Sequence, residues 1–169
     1  MPIKTIQHNG IDYPSFQSEG NAAQFCRPFA QKVCKGIGVD VGCNRKEWAF
    51  VDADGVEALC IDPVICSEYH ALNFPNINYD YVISSHCGEH LDNWVDAFDY
   101  WIGKLKVGGV LFLYLPDYSQ TYWRVFSNRK HIHTFFPQLV RDYLEDRKMR
   151  NIFVSGVDLN NSFMAMCQK

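Results

Sequence analysis

Apolar positions along the chain change period several times, and each change predicts an element. In GNAAQFCRPFAQKVCKG (20 to 36), small or apolar residues at Ala22, Phe25, Cys26, Phe29, Ala30 and Val33 line one face of a helix. Asn21 is placed to cap this helix, Pro28 to kink or shorten it, and Gly36 to end it. IGVDV (37 to 41) then reads as a short buried strand, EALCID (57 to 62) as a second, and YDYVISS (79 to 85), rich in β-formers, as a third. Between Asp62 and Asp80 there is little room for a full helix. Leu91, Trp94, Val95, Phe98, Trp101, Ile102 and Leu105 mark one face of the clearest helix, with Asp92 and Asp96 near its start and Lys104 and Lys106 near its end. Gly108 and Gly109 stop it, and VLFLYL (110 to 115), closed by Pro116, reads as a strand covered on both faces. PQLVRDYLEDRK (137 to 148) is amphipathic, with Pro137 in its first turn. NIFVSGV (151 to 157) and SFMAMCQ (162 to 168) flank the turn residues Asp158 to Asn161 as a terminal hairpin.

Strands alternating with helices predict an α/β fold in three layers: a mainly parallel, twisted sheet with right-handed crossovers, to which the terminal hairpin adds one antiparallel strand. No linker, repeat or low-complexity tract interrupts the 169 residues. One domain is expected over 1–169, with an N-terminal arm and helix at 1–35 and the sheet core at 36–169. Composition agrees, since 47% hydrophobic and 21% charged residues suffice for a core. The formal net charge of -3 supplies no basic excess for phosphates, which argues against a nucleic-acid partner. The seven cysteines are scattered, without a C-x-x-C pair, and are expected to be reduced and mostly buried in a cytoplasmic protein. MPIKTIQHNGIDYP (1 to 14) has no signal-peptide core, and no stretch approaches the ~18 apolar residues of a membrane span.

In open α/β sheets ligands bind outside the carboxyl ends of the strands, so the turn after Val41 is the place to seek a site. Gly42 permits a tight turn there, and Asp62, twenty positions on, ends the next strand where a carboxylate can accept from ribose hydroxyls. A dinucleotide site would want G-x-G-x-x-G, but the series here is Gly42, Asn44, Glu47. S-adenosylmethionine carries a ribose and no pyrophosphate, so one glycine with an acid, Asp40, near the ligand's ammonium is chemically adequate.

These residues resemble the class I S-adenosylmethionine-dependent methyltransferases, particularly the small type 11 group. VDVGCN (39 to 44) looks like their first motif and IDP (61 to 63) like the acid after the second strand. ALNFPNINYDYVISSHCGEHLDN (71 to 93) is similar to their fourth-strand region, and LKVGGVLFLYLPD (105 to 117) to the phrase that forms the fifth strand. The resemblance spans roughly residues 36 to 169. It implies a Rossmann-like methyltransferase fold, S-adenosylmethionine as cofactor, and a transferase acting on an oxygen or nitrogen nucleophile. It further implies that Asp40 and Gly42 hold the methionine end, Asp62 the ribose, and Leu72 with Asn73 the adenine side, while Ser85 and His86 line the site and Cys43, Asn44 and Pro63 also contact the cofactor.

His86, Glu89 and His90 form H-x-x-E-H, the inverted zinc-peptidase signature when it lies on a long helix. Gly88 interrupts the segment, and His86 directly follows a strand. Zinc hydrolysis is therefore a remote alternative, and no metal is expected. In the methyltransferase reading His86 or Glu89 removes a proton from the acceptor; structurally, Glu89 and His90 could instead simply begin the following helix. The loop PDYSQTYWRVFSNRKHIHTFFP (116 to 137) mixes Tyr118, Tyr122, Trp123, Phe126, His131 and His133 with Arg124, Arg129 and Lys130, and either covers an acceptor or packs on itself. Gly20, Asn21 and Ala22 could fold across the cofactor as well as cap a helix. A small molecule or sugar is the expected acceptor. The rival from another class is a non-catalytic nucleoside-binding module of the same fold, suggested by Asn44, Arg45 and Lys46 standing where further glycines are usual.

Overall fold

The structure, a computed structural model, describes residues 4–15 and 21–169. It opens with a hairpin of β1 (Thr5–His8) and β2 (Ile11–Pro14). Asn9 and Gly10 turn it with φ of 51° and 76°, the left-handed pair that a two-residue hairpin loop demands. The Asn-Gly dipeptide was the signal for this hairpin, which the apolar pattern alone does not predict.

Helix α1 (Ala23–Val33) continues through Pro28. Ala22, not Asn21, occupies its N-cap position, and the expected Asn21 side-chain cap is absent. The first strands of the main sheet are β3 (Gly38–Val41), β4 (Leu59–Ile61) and β5 (Tyr79–Ser85). Only a 3-10 turn (Lys46–Trp48) separates β3 from β4, and no helix lies between β4 and β5, as the short intervals required. Helix α2 (Trp94–Lys104) begins later than the apolar stripe suggests. Glu89 and His90 do not start it; with Gly88 they form a separate 3-10 turn. The cap is Asn93, whose side chain accepts from the backbone N–H groups of Val95 and Asp96 at 3.1 and 3.3 Å.

Strand β6 (Leu105–Pro116) follows α2 without a break, so Gly108 and Gly109 lie within the strand and not ahead of it. Helix α3 (Pro137–Asp146) leads to the hairpin of β7 (Arg150–Val154) and β8 (Ser162–Gln168). The sheet order is β4-β3-β5-β6-β8-β7. Pairing is parallel from β4 to β6, and β8 is antiparallel to both β6 and β7.

Alternation along the strands feeds two cores. Val39, Val41, Val82, Leu111, Leu113 and Phe163 face α2 and α3, where they meet Phe98, Trp101, Val140 and Leu144. Tyr81, Ile83, Phe112, Tyr114 and Met164 face the other way, toward α1 and the β1-β2 hairpin through Phe25, Ala30, Ile11 and Tyr13. This is the expected three-layer arrangement. A fully buried side chain such as Phe98 contributes about 1.5–3 kcal/mol over an exposed one. Trp101 does more, because its indole N–H also donates to the Ala71 carbonyl at 2.7 Å and so fastens the irregular β4-β5 crossover to α2.

The cysteines depart from expectation in one place. Cys43 and Cys60 form a disulfide, with Cα atoms 5.8 Å apart. Parallel pairing of β3 with β4 brings the turn after Val41 beside Cys60, a proximity that a sequence separation of 17 conceals. Cys26, Cys34 and Cys167 are free and buried as expected.

Candidate functional site

The site lies where β3 and β5 end side by side. Gly42 turns the chain with φ of 84°, and its N–H donates to the Ile61 carbonyl at 2.9 Å. A Cβ built there would stand 2.6 Å from Cys87 Cβ, so only glycine fits in both conformation and space. Gly42 is also shared by two cavities. One, about 580 Å³, is lined by Asp40, Gly42, Cys43, Asn44, Ser85 and His86, together with Asn21, Ala22, Ala23, Trp48, Tyr122, Trp123 and Asn160. The other, about 320 Å³ and more apolar, is lined by Gly42, Asp62, Pro63, Leu72 and Cys87, with Val41, Ile61, His70, Ala71, Leu91, Asp92, Asn93 and Ala97.

The two acids sit on opposite sides of this glycine. Asp40 is buried at the end of β3, where its Oδ2 accepts the Phe50 N–H at 2.9 Å. Burial outweighs that bond and pushes its carboxyl up to about 7. Asp62 is half-buried; its Oδ2 accepts from Asn44 N–H at 3.0 Å and its Oδ1 from Val64 N–H at 2.9 Å. Each carboxylate oxygen has two lone pairs, so one acceptor position per oxygen remains for a diol in the smaller cavity. Asn44 takes a φ of 60°, which asparagine tolerates better than most residues. Asn44, Arg45 and Lys46 are exposed, and the Arg45 guanidinium lies 4.9 Å over the Trp48 ring. Of the three, only Asn44 reaches the cavity wall.

His86 closes one wall of the larger cavity at φ of 49°. Its Nε2 is 2.9 Å from Ser162 Oγ, and its ring meets that of Trp123 edge-on at 5.0 Å. Glu89 lies behind it with no exposed surface, and both carboxylate oxygens lack a hydrogen-bond partner among the described residues. Desolvation pushes the Glu89 carboxyl up to about 8 and pulls the His86 imidazole down to about 3, helped in the second case by His131 and His90. No helix runs through His86 and His90, so the H-x-x-E-H residues are not disposed as in the peptidase signature.

The structure thus places the predicted residues Asp40, Gly42, Cys43, Asn44, Ser85 and His86 on one cavity and Gly42, Asp62, Pro63 and Leu72 on the other. Asn73 is turned away, its side-chain amide donating to the Glu68 carbonyl at 2.8 Å. Asn21 and Ala22 of the arm do line the larger cavity; Gly20 lies outside the described residues. Trp48, Cys87 and Asn160 went unrecognised. Each comes from a segment whose approach to the site is set by tertiary packing, although a polar turn such as Asp158 to Asn161 at a strand's end was a usable hint for Asn160.

In an open, mainly parallel α/β sheet the cleft at the carboxyl ends of the strands, lined here by Asp40 on one side of Gly42 and Asp62 on the other, is the place where proteins of this class bind their ligands. Comparison carries this further. The chain matches the family described as "Methyltransferase domain" over residues 19–152 and belongs to it; it is an enzyme of the S-adenosylmethionine-dependent methyltransferases. Its fold is similar to that of an S-adenosylmethionine-dependent methyltransferase from Archaeoglobus fulgidus, with a TM-score of 0.62 at 16% identity over 85% of this chain and 91% of the other. It is similar also to the N-methyltransferase NodS from Bradyrhizobium japonicum WM9, solved in complex with S-adenosyl-L-homocysteine, with a TM-score of 0.57 at 14% identity over 83% of this chain and 81% of that one. No curated protein sequence matches the chain. No helix among the described residues is long and apolar enough to cross a membrane.

Proposed function

We propose that S-adenosylmethionine lies across Gly42, with its adenosine in the smaller cavity and its methionine end in the larger, and that the methyl group passes to an oxygen or nitrogen of a small molecule or sugar. The observation that carries this reading is the pair of cavities meeting at a glycine that tolerates no side chain, with Asp62 on one side and Asp40 on the other. Asp62 would hold the ribose hydroxyls, Pro63 and Leu72 would flank the base, and Asp40 would face the ammonium group. Cys43 and Asn44 complete the methionine end beside Gly42. Ser85 and His86 would border the reacting methyl.

Methyl transfer from a sulfonium depends chiefly on holding nucleophile, carbon and sulfur in line. His86 would shape the acceptor side of the larger cavity with its ring, because its Nε2 is held by Ser162, its Nδ1 faces Glu89, and Trp123 packs edge-on against it. Glu89 reaches the acceptor only through His86, which makes it a positioning residue. Tyr122 and Trp123 bring the aromatic loop to the acceptor side of the cavity, where ring faces suit a sugar or a flat small molecule. The net charge of -3 gives a nucleic-acid acceptor no general attraction. We place the enzyme in the cytoplasm, acting as one unit over 1–169. The Cys43–Cys60 disulfide runs against this placement, since protein disulfides persist mainly in oxidising compartments.

The fragment 5′-methylthioadenosine, which lacks the ammonium and carboxylate, separates the two ends. Charge-assisted hydrogen bonds contribute about 1.5–3 kcal/mol each. Asp62→Ala should therefore weaken its binding at least about 10-fold by calorimetry, while Asp40→Asn leaves it near the wild-type value. Equal sensitivity to both variants, or to neither, would contradict the assignment of the cavities.

A further inference from the structure

The fully buried Glu89 carboxylate has a surrounding that neither the cofactor nor the acceptor accounts for. Three imidazoles face its Oε1: His86 Nδ1 at 3.5 Å, His90 Nε2 at 3.7 Å and His131 Nε2 at 4.0 Å. None makes a hydrogen bond to it, and the carboxylate is left without a partner among the described residues. An unpartnered carboxylate in a dry interior is costly, and each such group in a stable fold calls for an explanation.

The outer sides of the rings supply one. His90 Nδ1 is 2.7 Å from the Lys130 carbonyl and His131 Nδ1 is 2.8 Å from the Trp123 carbonyl. A carbonyl only accepts, so both Nδ1 atoms carry a proton, and in the neutral rings both Nε2 atoms turn lone pairs toward Glu89. An imidazole whose far nitrogen donates to a backbone carbonyl while its near nitrogen is left bare is the arrangement that orients metal-ligating histidines. One oxygen of Glu89 and one nitrogen each of His90 and His131 lie within 4.8 Å of one another. Bonds of about 2.0–2.2 Å to a tetrahedral ion would bring such atoms to about 3.4 Å apart, a small inward movement of side chains.

We infer that Glu89, His90 and His131 form a site for a divalent transition-metal ion of the zinc class. Two imidazoles and a carboxylate suit zinc, iron, nickel or manganese better than calcium or magnesium, which prefer oxygen throughout. Three protein ligands leave at least one coordination position open. His86, whose Nδ1 faces the same carboxylate oxygen, lines the larger cavity, so the ion would sit directly behind that wall. The site also fastens the aromatic loop, through His131, to the turn that carries Glu89 and His90. The backbone already joins them there, since Ile132 N–H donates to the Glu89 carbonyl at 2.8 Å.

The test uses the whole protein, stripped with a chelator and then titrated with Zn²⁺ against a chromogenic competitor and with Co²⁺ under visible spectroscopy. One ion per chain is expected, with ligand-field absorption of cobalt and no thiolate charge-transfer band. His90→Ala and His131→Gln should each weaken binding by more than the 10–100-fold typical of losing an outer-shell partner. His90 is 40% exposed, so its replacement decides the matter if the buried His131 variant fails to fold. Uptake below about a tenth of an equivalent by folded wild-type protein, wild-type affinity in the folded variants, or a thiolate band placing the ion on cysteines would each overturn the assignment.

Discussion

Asp40 and Asp62 are both aspartates at strand ends, yet the fold treats them differently. Asp62 is half-exposed and keeps acceptor capacity for a ligand, whereas Asp40 is buried with one backbone donor and is pushed up to about 7. A carboxyl whose folded value lies above its unfolded one favours the protonated form in the native state. Its contribution to stability is therefore full below about pH 4 and is lost as pH rises through about 7. Asp40→Asn keeps an acceptor for Phe50 N–H but does not titrate. The variant's stability relative to wild type should thus increase between about pH 5 and pH 8 in denaturant titrations; parallel pH profiles would show that Asp40 carries no such penalty. The places of Gly42 and Asp62 at the cavity walls were legible in the sequence because a tight turn and an acid at a strand's end depend on single residues at fixed places. Asn73 was not, because whether its amide faces the cavity or the Glu68 carbonyl is decided by the path of an irregular crossover.

At the scale of elements, the strands β5, β6 and β8 were readable from their apolar runs, since each is buried on both faces along most of its length. Boundaries were harder wherever one element runs directly into another. The stripe from Leu91 to Leu105 continues on both sides of α2, because Leu91 packs against the core from the turn before the helix and Leu105 from the strand after it. Asn93, not periodicity, sets the start. Asn93→Ala should cost about 1 kcal/mol in stability, lowering the melting temperature by roughly 2–4 °C. A variant melting with wild-type protein would mean that packing alone holds the first turn of α2. Asn93 also lines the smaller cavity, so the cap of α2 and that cavity share a residue.

Over the whole molecule, each helical layer delivers a different part of the site. Asn21 and Ala22 come to the larger cavity just ahead of α1, and Tyr122 and Trp123 come from the loop between β6 and α3. The aromatic loop was visible in the sequence as long and rich in rings, but its docking depends on non-local contacts such as His133 Nε2 donating to the Leu91 carbonyl at 2.7 Å. The Cys43–Cys60 pairing was hidden for the same reason. The central proposal is that the carboxyl edge of the sheet holds S-adenosylmethionine in two cavities joined at Gly42. Isothermal titration calorimetry with S-adenosylmethionine tests it most directly. The expected result is a single site per chain with affinity in the micromolar range, about -8 kcal/mol, strongly weakened by Asp62→Ala. No heat at high micromolar ligand from protein that remains folded would contradict it.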